Sequence, residues 1–288
     1  MAAPIPVTLR SVVLADGRPA VCVPLVDTTV EALVASAASL DPRDYDVVEL
    51  RVDHVAASAG ASAGAGAGAT ASAGAGAGAS TGADAAAGAG PIDAGALARA
   101  VREALPDDKP LLFTFRTEAE GGACAIAPDE YERLIAAAVE SGAVDAVDVE
   151  MTTEPDARER IVDHAHAHDV PVVMSSHDFD ATPDQAEIVS RLLQQQEWGA
   201  DVVKVAVMPQ SPADVLTLLA ATDDYRRGPG LLPAITMSMG PLGVVSRVAG
   251  ETFGSCLTFG SAGRASAPGQ LDAHELRAVV DLLHAARR

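Results

Sequence analysis

The sequence predicts an α/β domain built as a closed (β/α)8 barrel, and three observations carry that reading. Short β-branched apolar runs alternate with longer amphipathic stretches along most of the 288 residues. Eight βα units can be counted, and such repetition implies a parallel sheet with right-handed crossovers. Consecutive strand ends carry charged side chains at one parity, as a barrel with its chemistry at the C-terminal face requires. An open doubly wound sheet shares the alternation, but no G-x-G-x-x-G fingerprint follows the first core strand.

Pro6–Pro24 holds two short apolar runs around the turn Ala15-Asp-Gly-Arg18. They predict a hairpin over Val7–Leu14 and the first core strand at Ala20–Val26. Thr28-Thr-Val-Glu31 has capping-box spacing and opens a helix running to Ser39. Asp46–Asp53 is the second core strand.

Ala56–Gly90 breaks the pattern. It is almost wholly Ala, Gly, Ser and Thr, with Asp84 its only charge. Glycine at nearly alternate positions opposes helix, and no apolar face exists to bury. The expectation is a flexible surface insertion with no functional role, within one barrel domain spanning residues 1–288. Silk-like strand stacking is the alternative.

Order returns with a helix at Asp93–Leu105, a strand at Leu111–Arg116 and a helix at Asp129–Ser141. Then follow a strand at Ala146–Glu150, a helix at Pro155–His168 with proline in its first turn, and a strand at Val170–His177. A helix at Pro183–Trp198 leads to the strand Val202–Val207, and Pro212–Ala221 is again helical. The last units are a strand at Leu232–Met239, a short helix at Pro241–Gly250, a strand at Ser255–Gly260 and a helix at Asp272–Arg287.

Composition narrows the function. Forty acidic against 20 basic residues give a net charge of −20, which opposes nucleic acid and anionic membrane as partners. Acid excess with scarce lysine points to a surface adapted to high salt. Cys22, Cys124 and Cys256 are too far apart for a metal box or disulfide framework, which fits a reducing cytosol. No charged start with a long apolar run opens the chain, and outside the low-complexity tract no apolar run reaches about 18 residues. Secretion and membrane spanning are therefore not expected.

Lys204 stands out. It lies in the centre of Asp201-Val-Val-Lys-Val-Ala-Val-Met-Pro209, and Lys109 is the only other lysine. A buried amine without a partner costs several kcal/mol or is driven neutral, and a neutral amine attacks carbonyl carbon. Snorkelling from the strand end is the structural alternative. The other strand ends decide between them. Glu49, Arg51 and Asp53 share one face; Arg116 and Glu120 follow the third strand; Asp148 and Glu150 share a face on the fourth; His177 ends the fifth.

This arrangement permits a division of labour. Lys204 is the nucleophile, activated by burial and by neighbouring arginines, and His177 is the general acid and base. Glu120 fixes the histidine tautomer, and Arg51, Arg116 and Arg247 clamp a carboxylate-bearing substrate. His164, His166 and His168 diverge along a helix, so no metal site is expected. His54, His274 and His284 read as surface or loop residues.

These residues fall in six ordered motifs. They are Glu49-Leu-Arg-Val-Asp53, Phe115-Arg-Thr-x-x-Glu-Gly-Gly122, Ser176-His-Asp-Phe179, Val203-Lys-Val205, Ser238-Met-Gly-x-x-Gly-x-x-Ser-Arg247 and Ser266-Ala-Pro-Gly-Gln270. In this order they resemble the type I 3-dehydroquinate dehydratases of the shikimate pathway, over the whole chain except the insertion. The resemblance implies dehydration of 3-dehydroquinate to 3-dehydroshikimate through a lysine imine, with no cofactor or metal, and a homodimer, as members of the family commonly are. By the same resemblance Lys204 forms the Schiff base, His177 transfers protons and Glu120 orients it. Glu49, Arg51 and Arg116 contact substrate, and Arg247 binds its carboxylate. Ser266 and Gln270 belong to a closing loop, and Met239 and Phe259 are apolar walls.

Two other readings stay open on the residues alone. One is a Schiff-base aldolase acting on a sugar phosphate, with Gly260–Gly269 as phosphate loop. The other is a non-catalytic small-molecule binder in which Lys204 only forms an ion pair.

Overall fold

The computed structural model describes residues 4–15, 17–67 and 90–287. An antiparallel hairpin, β1 (Val7–Leu9) and β2 (Val12–Leu14), comes first, with Arg10 at φ 49 in its turn. Its Leu9 and Leu14 join the apolar cluster formed by Cys22, Val47, Leu112, Ala146, Val173 and Val202 at the strand starts. The hairpin thus plugs the N-terminal end of the barrel.

The barrel strands are β3 (Ala20–Leu25), β4 (Val47–Arg51), β5 (Leu111–Thr114), β6 (Ala146–Glu150), β7 (Val172–Asp178), β8 (Val202–Val207), β9 (Ala234–Ser238) and β10 (Leu257–Ser261). Each pairs in parallel with the next from β3 to β9, and β10 returns beside β3 with Leu257 opposite Ala20. A bridge between Ala234 and Ser255 joins the ends of β9 and β10, so the eight strands close into a ring. A two-residue strand, β11 (Leu271–Asp272), adds to the β10 edge.

The helices outside are α1 (Val30–Ser39), α2 (Asp53–Ala67), α3 (Ala94–Ala104), α4 (Pro128–Glu140), α5 (Pro155–Ala167), α6 (Gln185–Glu197), α7 (Pro212–Arg227), α8 (Val244–Val248), α9 (Gly250–Phe253) and α10 (Ala273–Ala285). No helix among the described residues is long and apolar enough to cross a membrane. Cys22, Cys124 and Cys256 are all buried.

Strand parity divides the core. Val48, Leu50, Val147, Val149, Val203 and Val205 join the cluster made with helix residues such as Leu33, Leu97 and Ile188. Their alternate neighbours Glu49, Arg51, Asp148, Glu150 and Lys204 therefore point into the barrel. The charged strand ends are inward-facing, as the alternation required.

Three details differ from expectation. The cap of α1 is Thr29, whose hydroxyl accepts the Ala32 N–H, one residue later than the capping box suggested. Helix α7 runs on past Ala221 because Thr222 and Tyr225 continue its buried stripe, and Thr222 Oγ1 donates to the Leu218 carbonyl. Residues 241–250 are not one helix: a 3-10 turn at Pro241–Gly243 precedes α8, and α9 starts at Gly250.

The largest correction concerns the low-complexity tract. Helix α2 carries on into it as far as Ala67, so the tract does not begin as a structureless loop. Its start is alanine-rich with few glycines, each costing only about 1 kcal/mol in a helix, and Ala56 is fully buried. The Gly90 N–H donates to the Ala56 carbonyl at 2.9 Å, so the excursion returns to where it left. A Cβ at Gly90 would collide with the backbone at Ala59 and Gly60, which requires glycine there. Residues 68–89 lie outside the described residues.

Candidate active site

Lys204 projects from β8 into the barrel and is 3% exposed. Its Nζ lies 2.9 Å from Asp148 Oδ2 and 3.8 Å from Glu49 Oε1, with the Phe259 ring centroid 4.8 Å away. Carboxylates, and not the arginines expected from the sequence, are its nearest charges. A buried ammonium is tolerable only with such partners.

Asp148 joins two cations. Arg116 Nη2 donates to its Oδ1 at 2.7 Å, and Ser175 Oγ donates to the same oxygen at 2.6 Å. Burial alone would raise this carboxyl, but Arg116 and Lys204 outweigh it and hold it well below the usual carboxylate range. Arg116 also reaches Glu150 Oε1 at 2.7 Å, and Glu150 takes the Thr117 N–H and hydroxyl.

The chain after β5 forms a 3-10 turn at Glu118–Glu120, closed by Gly121 at φ 81. A side chain on Gly121 would strike the Phe179 ring as well as strain the backbone. The turn delivers Glu120 Oε2 to within 2.8 Å of His177 Nδ1, while its Oε1 accepts from Thr152 Oγ1 at 2.6 Å. Burial and the nearby Glu150 push Glu120 up to about 7. Burial, Arg116 and Lys204 push His177 well down. Neutral imidazole is thus the favoured form, with Nδ1 engaged and Nε2 left for the cavity.

The side chains given catalytic, clamping, loop or wall roles in the sequence line one cleft with about 480 Å³ of empty space. It gathers Lys204, His177, Glu120, Glu49, Arg51, Arg116, Arg247, Met239, Phe259, Ser266 and Gln270. The three arginines are not equivalent there. Arg51 is forked onto Asp53 through two contacts of 2.8 Å, and Arg116 is held by Asp148 and Glu150. Arg247 is 1% exposed, and no carboxylate among the described residues pairs with it. Its Nη2 donates to the Pro268 carbonyl at 3.1 Å, and its Nε has no hydrogen-bond partner among the described residues. Burial lowers it to about 10. A guanidinium buried without a counter-charge is a ready site for an anion.

The segment after β10 lies over this cleft. Ser266 N–H donates to Gln270 Oε1, and Gln270 Nε2 donates to Ser266 Oγ, both at 2.8 Å. The Pro268 carbonyl takes the Gly240 N–H as well as Arg247. Gly269 sits at φ 76 with no room for a Cβ against the Gly240 backbone, so the contact depends on glycine.

A family model described as type I 3-dehydroquinase matches residues 21–287. A 3-dehydroquinate dehydratase of Escherichia coli strain K12 is 41% identical over 280 residues, covering 97% of this chain and 99% of its own. The chain belongs to the type I 3-dehydroquinase family. The solved type I 3-dehydroquinate dehydratase of Clostridium difficile, crystallised with covalent modified comenic acid, superposes with TM-score 0.82 at 36% identity and covers 98% of this chain and 99% of that one. The Geobacillus kaustophilus 3-dehydroquinate dehydratase gives TM-score 0.82 at 31% identity, covering 99% of both chains. 3-Hexulose-6-phosphate synthase, at 19% identity and TM-score 0.55, is alike in fold.

Within this 3-dehydroquinase site, sequence reasoning gave no role to several polar groups. Asp148 and Glu150 were visible at inward parity, yet nothing in the sequence pointed them at Lys204 and Arg116. Thr152 and Ser175 gave no signal beyond lying near strand ends. His54 is half-buried with Nε2 3.8 Å from Asp53, not a surface residue, and burial lowers it. His166 turns to Asp201 at 2.9 Å, but His164 and His168 do not diverge as expected: four residues apart on one helix face, their tilted rings lie 4.5 Å apart.

Proposed function

We propose that this chain converts 3-dehydroquinate to 3-dehydroshikimate, the third step towards chorismate and the aromatic amino acids, through an imine on Lys204. One observation carries the reading: a buried lysine and a neutral histidine–glutamate pair share a cleft with an arginine that no carboxylate among the described residues pairs with. The substrate carboxylate pairs with that arginine and orients the ring. The Lys204 ammonium gives up a proton to solvent before the cleft closes, the freed amine attacks the ketone carbon, and the carbinolamine expels water to give the imine. The imine draws electrons from the adjacent carbon–hydrogen bond.

His177 takes that proton through Nε2, with Glu120 holding the ring at Nδ1. The enamine electrons expel the neighbouring hydroxyl, which leaves as water on receiving the proton from His177. Hydrolysis of the conjugated imine frees product and Lys204. The 266–270 segment keeps bulk water from the imine meanwhile. The covalent ligand named for the Clostridium difficile relative is consistent with a nucleophile in this family.

Homodimerisation and a cytoplasmic setting are proposed on the family likeness. Sedimentation tests the first. The activity itself is tested by following the ultraviolet absorbance of the conjugated enone from 3-dehydroquinate. Native protein should generate it, and Lys204→Arg should not. A native fold with no enone would reject the reading and favour the binding-protein alternative.

A further inference from the structure

Lys204 is gripped at its main chain as well as at its ammonium. Gln195, on α6, is fully buried. Its Oε1 accepts the Lys204 N–H at 2.8 Å, and its Nε2 donates to the Lys204 carbonyl at 3.0 Å. The N–H and C=O of a central strand residue are ordinarily satisfied by a neighbouring strand. Lys204 lies in such a ladder, opposite Ser175 and Ile235, and one side-chain amide from a helix bonds its N–H and C=O as well, at the residue whose amine enters the cleft. Gln195 follows Ile188 and Leu192 along the buried face of α6, where an apolar side chain would be the simpler choice. An amide there is costly unless both its ends are bonded, and the backbone of Lys204 bonds them.

We propose that Gln195 is a positioning residue for Lys204, fixing the peptide planes on either side of it so that Nζ stands beside Asp148 below the substrate ketone. This rests on Lys204 being the nucleophile. Gln195 does not line the cleft and touches no reacting atom. It acts through geometry, because a small rotation about the Lys204 backbone is amplified along the four-carbon side chain. A misplacement of about 1 Å is enough to cost on the order of 100-fold in rate.

Two variants test it. Gln195→Leu fills the same space without polar atoms and should lower kcat by about tenfold or more. KM should stay within about twofold, because Arg247 and the 266–270 segment are untouched. Gln195→Glu is the discriminating variant. A protonated carboxyl accepts and donates as the amide does, whereas a carboxylate cannot donate to the Lys204 carbonyl. Burial raises a glutamate, so kcat of Gln195→Glu should be near native at about pH 5–6 and fall as pH rises. That descending limb should be absent from the native profile. A Gln195→Glu profile parallel to native, or a Gln195→Leu enzyme with lowered melting temperature but native kcat, would overturn the proposal. Borohydride trapping of native protein separates this from the underlying reading. A trapped native Lys204 with unimpaired variants rejects only the role of Gln195, and an untrapped native enzyme rejects the imine itself.

Discussion

His177 Nδ1 and Glu120 Oε2 stand 2.8 Å apart, and the protein shifts the two groups in opposite directions. The carboxyl is raised to about 7 by burial and Glu150, and the imidazole is lowered by burial, Arg116 and Lys204. They titrate as a unit, with the ring neutral on the acidic side of its ordinary range. The ring itself should therefore take up its proton only below pH 6.5, the usual histidine value, as followed by the NMR shifts of its ring carbons. Ring protonation above that value would contradict the account of the pair.

Removing the ring separates the steps. His177→Ala should lose about 10²–10⁴-fold in turnover, the usual worth of a positioned acid–base group. It should still form the imine, since amine attack precedes proton abstraction. Near-native turnover in this variant would show that another group moves the proton.

Asp148 holds Arg116 and Lys204 together, and its depressed carboxyl makes it a contributor to acid stability. A carboxyl lowered by folding stabilises the protein above its unfolded value of about 3.9, and that contribution is lost as pH falls through the folded value. Native protein should thus lose stability steeply below pH 4, and Asp148→Asn should flatten this limb. At pH 7 the same variant leaves two buried cations underpaired and should cost about 3–5 kcal/mol in chemical denaturation. An unchanged acid limb would mean that Asp148 does not carry this linkage.

Much of this site was legible because a barrel translates sequence parity into direction. Once eight βα units were counted, Glu49, Arg116, His177 and Lys204 had to converge at one end. Parity places side chains but does not pair them. Nothing in the sequence distinguishes Arg247, left without a carboxylate, from Arg51, neutralised two residues away by Asp53. Gln195 was readable as a polar residue on an apolar helix face, but its partner is backbone, which no side-chain pattern reveals. The start of α2 was missed for a different reason. Glycine averaged over the whole tract hid an alanine-rich beginning anchored by buried Ala56.

The tract itself should be dispensable. Its ends meet at the Gly90–Ala56 hydrogen bond, so a short link can close the gap. Replacing residues 62–87 with a brief Gly-Ser turn changes loop-closure entropy by only about 1–2 kcal/mol. Turnover should remain within a few-fold of native. A collapse of activity with the fold retained would show that the tract serves the site.

A net charge of −20 should make stability depend on salt. Repulsion between surface carboxylates is largely screened when the Debye length falls to about 3 Å, near 1 M. The melting temperature should climb from low to molar sodium chloride. A flat profile would remove the case for salt adaptation.

The central claim is the covalent role of Lys204, and borohydride tests it most directly. Reduction turns an imine into a stable secondary amine and leaves an ion pair untouched. Native protein treated with 3-dehydroquinate and borohydride should lose activity and gain one ligand-derived mass on the peptide holding Lys204. Lys109, whose Nζ is bound by the carbonyls of Pro42 and Tyr45 away from the cleft, is the internal control and should stay unlabelled. Lys204→Arg should show neither label nor turnover. Label confined to Lys109, or turnover by Lys204→Arg, would contradict the imine mechanism.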